Sequence, residues 1–216
     1  MHVNKFIDYI DDPNDTFEQY LEKGRRYNFR CVFADPDQYE LGKRLLQGSD
    51  VILAGAVDFP EGKMSTEQQL QEMQIHADKG FEEVDYVLNQ AAVEACDFDY
   101  IEREMSEIAE FCRAHGMRDK VIVEMCKLEG NEGAKRRICE IALAAKPFCL
   151  KTSTGRSWSG AKVEDVRLMK SILGDEVLIK AAGGIHSYDE ALAFIDAGAN
   201  ILGASAGIAI VEGEHD

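Results

Sequence analysis

Two lysines stand inside apolar, strand-like runs, Lys151 in FCLKTSTG and Lys180 in VLIKAAGG, and each is followed within a few residues by glycines and small side chains. A strand opens into a phosphate-cradling turn in this way. An ammonium withdrawn from water beside a second cation gives up its proton more readily, and a neutral lysine amine is the nucleophile that condenses with carbonyls to form Schiff bases. The pair therefore points to amine catalysis. Asp85 in EVDYVLN shares an alternating phase with Val87 and Asn89, so the three occupy one face of a strand. A carboxylate there can exchange protons with a nearby lysine. Taken alone, Asp85 could equally do no more than neutralise a buried ammonium.

Short apolar runs alternate with longer amphipathic stretches along the whole chain. The periodicity predicts strands over 5–10, 29–34, 51–57, 83–89, 120–126, 148–153, 177–182 and 200–205. Helical patterns fill the intervals: DTFEQYLEKGRR, PDQYELGKRLLQ, MSTEQQLQEMQIHADKG, DYIEREMSEIAEFCRAHG, GNEGAKRRICEIALAAK, KVEDVRLMKSIL and SYDEALAFIDAG. Ser65 or Thr66 with Glu67 and Gln68, and Ser187 with Glu190, supply N-terminal caps, while Gly80, Gly116 and Gly198 stand where helices stop. Nearly continuous aliphatic strands belong to a parallel sheet covered on both faces, and repeated right-handed crossovers close such a sheet into an α/β (β/α)8 TIM barrel. The rival open, doubly wound sheet lacks its Gly-x-Gly-x-x-Gly turn, because residues 9–15 contain no glycine. The length of 216 residues suits one barrel domain spanning 1–216.

Barrel chemistry sits at the C-terminal ends of the strands, where this chain offers Asp8, Cys31, Asp58, Asp85, Asn89, Glu124, Lys151 and Lys180. Polar groups in apolar strands are costly unless paired, so these are expected to meet in one network across the lumen.

Composition excludes several other classes. A formal net charge of −16 is incompatible with general nucleic-acid binding, which needs a basic surface, and any anion site must be local. No apolar run approaches the roughly 18 residues of a membrane span, and the acidic start MHVNKFIDYIDD lacks a signal-peptide layout. A cytoplasmic protein without membrane partners is expected. The six cysteines form no C-x-x-C pair and read as reduced core residues, and the five histidines show no metal-ligand spacing. Neither a metal nor an organic cofactor is indicated.

Several segments, in order and spacing, resemble the deoxyribose-phosphate aldolase family: DFPEG (58–62), VDYVLN (84–89), KTSTG (151–155) followed by GA-x-x-EDV-x-LMK (160–170), and KAAGGI (180–185) followed by YDEALAFIDAGA (188–199). The resemblance covers residues from about 29 to 211. It implies a class I aldolase that reversibly joins acetaldehyde and glyceraldehyde 3-phosphate. Lys151 would form the Schiff base, Lys180 would lower its pKa, and Asp85 with Lys180 would relay the proton through water. It further implies phosphate contacts at Gly155, Gly183, Gly184, Gly203 and Ser205, with Arg156 adding a charge. Asp8 and Cys31 would contact substrate, although Cys31 serves as well as core filler. A homodimer is compatible with the family.

The chain departs from the family pattern in DYIDDPND near its start, in Arg156 where an aromatic residue is common, in His186 where arginine is common, and in Ala182 where serine is common. Another lysine-dependent aldolase or transaldolase, or a non-catalytic sugar-phosphate binder, is the alternative, with a metal-dependent aldolase weaker still. Remaining features take plain readings. GASAGIAIVEG is a strand-to-helix turn, since it lacks the lysine and hydroxyl residue of a P-loop. Trp158 is lid packing, DYIEREMSEIAE is a solvated outer helix, and Lys120 and Lys127 are ordinary.

Overall fold

The structure, a computed structural model, describes residues 2–215; Met1 and Asp216, the ends of the expected domain span, lie outside them. Eight parallel strands close into a barrel in sequence order, β1 (Ile7–Tyr9), β2 (Cys31–Phe33), β3 (Ile52–Val57), β4 (Glu83–Val87), β5 (Arg118–Ile122), β6 (Cys149–Lys151), β7 (Leu178–Ala182) and β8 (Ile201–Ala204). The barrel shuts where Ile7, Asp8 and Tyr9 pair with Leu202, Gly203 and Ala204. Every strand follows from an aliphatic run, and every crossover from an amphipathic one.

The helices are α1 (Phe17–Arg26), α2 (Tyr39–Leu45), α3 (Thr66–Lys79), α4 (Gln90–Ala95), α5 (Phe98–Ala114), α6 (Glu132–Ala145), α7 (Val163–Leu173), α8 (Tyr188–Asp196) and α9 (Gly207–Glu212). Local chemistry fixes their ends. Ser65 rather than Thr66 caps α3: its hydroxyl accepts from the Gln68 amide and the Gln68 side chain accepts from its own amide. Ser187 and Glu190 do the same for α8, and Thr16 with Gln19 for α1. Gly80 ends α3 at φ 95°, a conformation that a side chain would strain. None of the helices among the described residues is long and apolar enough to cross a membrane.

Several expectations shift: the strand expected over 5–10 is only Ile7–Tyr9, because Val3–Phe6 form a 3-10 turn, and the one expected over 148–153 is Cys149–Lys151. The strand expected over 120–126 leaves the sheet after Ile122, because Glu124 takes φ 65° and its carboxylate accepts from the Thr154 amide and hydroxyl at the end of the neighbouring strand. The strand expected over 83–89 ends at Val87 because the Asn89 side chain caps α4, a helix too short to show a period in the sequence.

The apolar core lies outside the barrel wall, between strands and helices. On α5, Ile101, Met105, Ile108 and Cys112 fall on one stripe and are fully buried, in the same apolar cluster as outward-facing Val84, Tyr86 and Val121; each large aliphatic contributes roughly 1.5–3 kcal/mol. Glu104 is the exception on that helix. It is buried, and both carboxylate oxygens lie within reach of the Asn89 amide, tying α5 to the cap of α4. Burial pushes its carboxyl from an ordinary value near 4.5 up to about 8. A folded state that holds this proton more tightly than the unfolded chain loses stability as pH climbs through that window. Glu104→Gln should therefore flatten the fall in unfolding free energy between pH 5 and pH 8, measured by urea titration; equal slopes in both proteins would show that the carboxyl is ionised throughout.

Candidate active site

Alternation along β4 turns Val84 and Tyr86 outward and Glu83 and Asp85 inward. Register then sets Lys120 of β5 beside Asp85, and Lys180 of β7 beside Lys151 of β6. Their side chains meet in the lumen. Asp85 Oδ2 accepts from Lys151 Nζ at 2.8 Å and from Lys180 Nζ at 2.9 Å, while Asp85 Oδ1 lies 2.8 Å from Lys120 Nζ. Asp8 Oδ2 accepts from Lys180 at 2.7 Å and Lys120 at 3.0 Å, and its Oδ1 accepts from Arg30 Nε at 2.7 Å. Lys120 and Arg30 also converge on Glu83, at 3.0 and 2.6 Å. All three lysines, with Asp8, Glu83 and Asp85, are buried.

Lys151 occupies a distinct place in this lattice. Asp85 is its one carboxylate partner among the described residues, and it alone of the three lysines lines the cavity above. Burial is the largest influence on its amine, Asp85 opposes it, and the charges of Lys180 and Lys120 add to the fall, which brings the amine down to about 8. Lys120 goes the other way. Burial alone would lower its amine, but Asp8, Asp85 and Glu83 hold it well above the ordinary lysine range. Burial likewise works against the Asp8 carboxylate, which Lys120, Lys180 and Arg30 nevertheless keep far below its usual value.

A cavity of about 630 Å³ opens over Lys151 at the C-terminal end of the barrel. Gly155, Arg156, Gly183, Gly184 and Ser205 line it, together with His186, from the loops after β6, β7 and β8, and Gly203 lines it from β8 itself. Asp11, Asp15 and Asp35 line it from the loops after β1 and β2, with Asp15 held by Lys23 at 2.7 Å. The loop after β6 can approach β7 because of its glycines. A Cβ at Gly160 would sit 2.2 Å from the Gly183 carbonyl oxygen, and Gly183 itself has φ 86°. Phe59 reaches over the cavity floor, with Lys151 Nζ 5.6 Å from its ring centre.

The structure gathers Lys151, Lys180, Asp85 and Asp8 as the strand ends suggest, but it separates other candidates. Asp58 spends its carboxylate on the amides of Lys63 and Met64, Asn89 caps α4, and Glu124 binds Thr154, so none of these joins the lattice. Asp8 and Cys31 lie below the cavity rather than on its lining. Both Asp8 oxygens are committed to cations, and burial pushes the Cys31 thiol up, leaving it a neutral core group. Trp158 is 69% exposed and packs no lid. Lys120 is far from ordinary. Sequence reasoning also passed over Glu83, although it shares Asp85's phase, and Arg30. Asp8, Cys31 and Glu83 are the one metal-type cluster among the described residues, yet Arg30 and Lys120 already stand against both carboxylates.

No family model matches the chain. Curated relatives do: a deoxyribose-phosphate aldolase from Thermococcus gammatolerans is 39% identical over 222 residues, covering 100% of this chain and 98% of the relative. Another from Aciduliprofundum boonei is 36% identical over 219 residues and covers 98% of each. The chain belongs to the deoxyribose-phosphate aldolase family. Among solved structures, the tetrameric deoxyribose-phosphate aldolase from Aeropyrum pernix superposes with a TM-score of 0.85 at 25% identity, over 99% of this chain and 91% of that one. As a deoxyribose-phosphate aldolase the protein is a lyase acting on an aldehyde substrate, and its buried lysine lattice lies directly under the 630 Å³ cavity at the barrel mouth.

The lattice itself is a stability prediction. Removing one partner from a buried ion cluster leaves the others uncompensated, at a cost of about 3–5 kcal/mol. Lys120→Met, which strips Asp8, Glu83 and Asp85 of a shared cation, should lose that much in urea unfolding. A loss below about 1 kcal/mol would mean that water enters the lumen and screens the carboxylates.

Proposed function

We propose that the enzyme reversibly cleaves 2-deoxyribose 5-phosphate to acetaldehyde and glyceraldehyde 3-phosphate through a Schiff base on Lys151. The observation that carries this reading is the position of Lys151: a buried amine, lowered to about 8, at the floor of an anion-compatible cavity. Its free amine adds to the C1 aldehyde, and loss of water leaves an iminium. The iminium withdraws electrons from the C2–C3 bond as the C3 hydroxyl surrenders its proton, so glyceraldehyde 3-phosphate departs and an enamine remains. Protonation at C2 and hydrolysis then release acetaldehyde and restore the amine. Asp85 and Lys180, sharing a 2.9 Å contact, are suited to pass these protons by way of water.

The phosphate end of the substrate is assigned to the loops after β6, β7 and β8 at the cavity mouth. Arg156 offers a guanidinium fork with no carboxylate partner among the described residues, and the amides of the Gly155, Gly183–Gly184 and Gly203–Ser205 turns lie in the same wall. A neutral side chain, Ala182, and the imidazole of His186 complete it, so phosphate affinity falls chiefly to Arg156 and backbone donors.

Borohydride reduction in the presence of acetaldehyde should fix a two-carbon adduct on the peptide carrying Lys151, and Lys151→Arg should retain the fold while kcat/KM drops by about 10³-fold or more, since a guanidinium cannot form the imine. In the unsubstituted enzyme the acid limb of kcat/KM should rise toward a midpoint of about 8. An adduct on another lysine, or near-normal turnover by the arginine variant, would locate the nucleophile elsewhere.

A further inference from the structure

Below Lys151, the lattice continues to the floor of the barrel, where neither of two further ions reaches the cavity lining. Arg30, just before β2, and Glu83, which opens β4, face each other as a two-pronged pair: Nη2 to Oε2 at 2.6 Å and Nη1 to Oε1 at 3.0 Å. From this pair an unbroken path of ionic contacts climbs to the cavity. Glu83 meets Lys120 at 3.0 Å, Lys120 meets Asp85 at 2.8 Å, and Asp85 meets Lys151 at 2.8 Å. Arg30 adds a second path through Asp8, which accepts from both Lys120 and Lys180.

We propose that Arg30 and Glu83 are positioning residues that set, through Lys120 and Asp85, how much of Lys151 is carried as free amine, and hence the pH range in which the enzyme attacks carbonyls. The proposal rests on Lys151 being the reacting amine. Glu83 is faced by Arg30 from the β2 side and by Lys120 and Arg118 from β5, with Asp8 and Cys31 beyond; Lys151 is faced by Asp85, Lys180 and Lys120. Only Arg118 of these has a solvated side chain, 40% exposed. Little water screens the rest, so a charge lost at the floor is felt at the top. Without the Glu83 charge, Lys120 can turn wholly to Asp85 and draw that carboxylate from Lys151, which favours the amine. Without the Arg30 charge, Glu83 and Asp8 pull Lys120 and Lys180 downward and leave Asp85 to Lys151, which favours the ammonium.

The test compares Glu83→Gln, Arg30→Gln and the double variant by the pH dependence of kcat/KM for 2-deoxyribose 5-phosphate cleavage. The pH dependence of borohydride trapping with acetaldehyde is followed alongside. The acid limb should move down by about half a pH unit or more in Glu83→Gln, up by a similar amount in Arg30→Gln, and back to near its original place in the double variant. Packing damage would lower kcat without moving the limb, or move it the same way in both single variants, and either result overturns the proposal. Should Glu83→Gln fail to fold with Arg30 left unpaired, the remaining two decide: an upward shift reversed in the double variant supports the proposal, and an unmoved limb refutes it. Peptide mapping keeps the two readings apart, because an adduct away from Lys151 removes the nucleophile assignment itself, whereas an adduct on Lys151 with a fixed limb removes only the role of the floor pair.

Discussion

The structure depends on an imbalance of charge inside the barrel. Inside the lumen Arg30, Lys120, Lys151 and Lys180 face Asp8, Glu83 and Asp85, and Arg118, 40% exposed, adds a solvated cation 3.2 Å from Glu83, so cations outnumber carboxylates. Water could spread such a surplus cheaply, but the lumen is closed beneath the cavity, and an unmatched ammonium there is expensive. Releasing one proton relieves part of that surplus. The proton that leaves is the one held least, and Lys151, with a single carboxylate contact, holds it least. The lowered amine of Lys151 thus follows from its burial and its single carboxylate contact.

The barrel makes this count possible because closure brings distant strands together without flexible arms. Asp8 on β1 and Lys180 on β7 are separated by 172 residues yet lie 2.7 Å apart. Antagonistic demands meet at the same wall. The ions need a rigid, dry cylinder, while the substrate needs open loops above it, and the glycines after β6 and β7 mark the border. Where Gly160 touches the Gly183 backbone, two loops press against each other too closely for any side chain, which fixes the turns without filling the cavity they enclose.

Much of this was legible in the sequence, for reasons that also explain what was not. All eight strands follow from aliphatic runs interrupted by helical periods, and Lys151, Lys180 and Asp85 are conspicuous as charges within such runs. The floor of the lumen lies at the N-terminal ends of strands, where a run is only beginning. There Glu83 follows Glu82 and looks like half of a surface pair, and Lys120 follows Arg118 and Asp119. A charged flank and a buried ion have the same local spelling. Only the register that sets Lys120 beside Asp85 distinguishes them. Strand ends were legible to within a few residues, because Glu124 and Asn89 leave the sheet for side-chain partners that no local pattern names.

The two walls of the cavity complete the logic of the lattice below. Arg156 and His186 stand on the side of β6 to β8, whereas Asp11 and Asp35 stand on the side of β1 and β2. Under the proposed function a molecule carrying a phosphate at one end would be attracted by Arg156 on the first wall and repelled by the carboxylates of the second, over distances comparable to the ~8 Å screening length of physiological salt. Such a molecule would then enter in one orientation, with the chain end opposite the phosphate toward the floor. The net formal charge of −16 would repel the same molecule at long range. In the proposed reading the two positive regions serve different ends: Arg156 at the mouth would hold an anion, and the lysines of the lumen would free the amine that the other end of that anion meets.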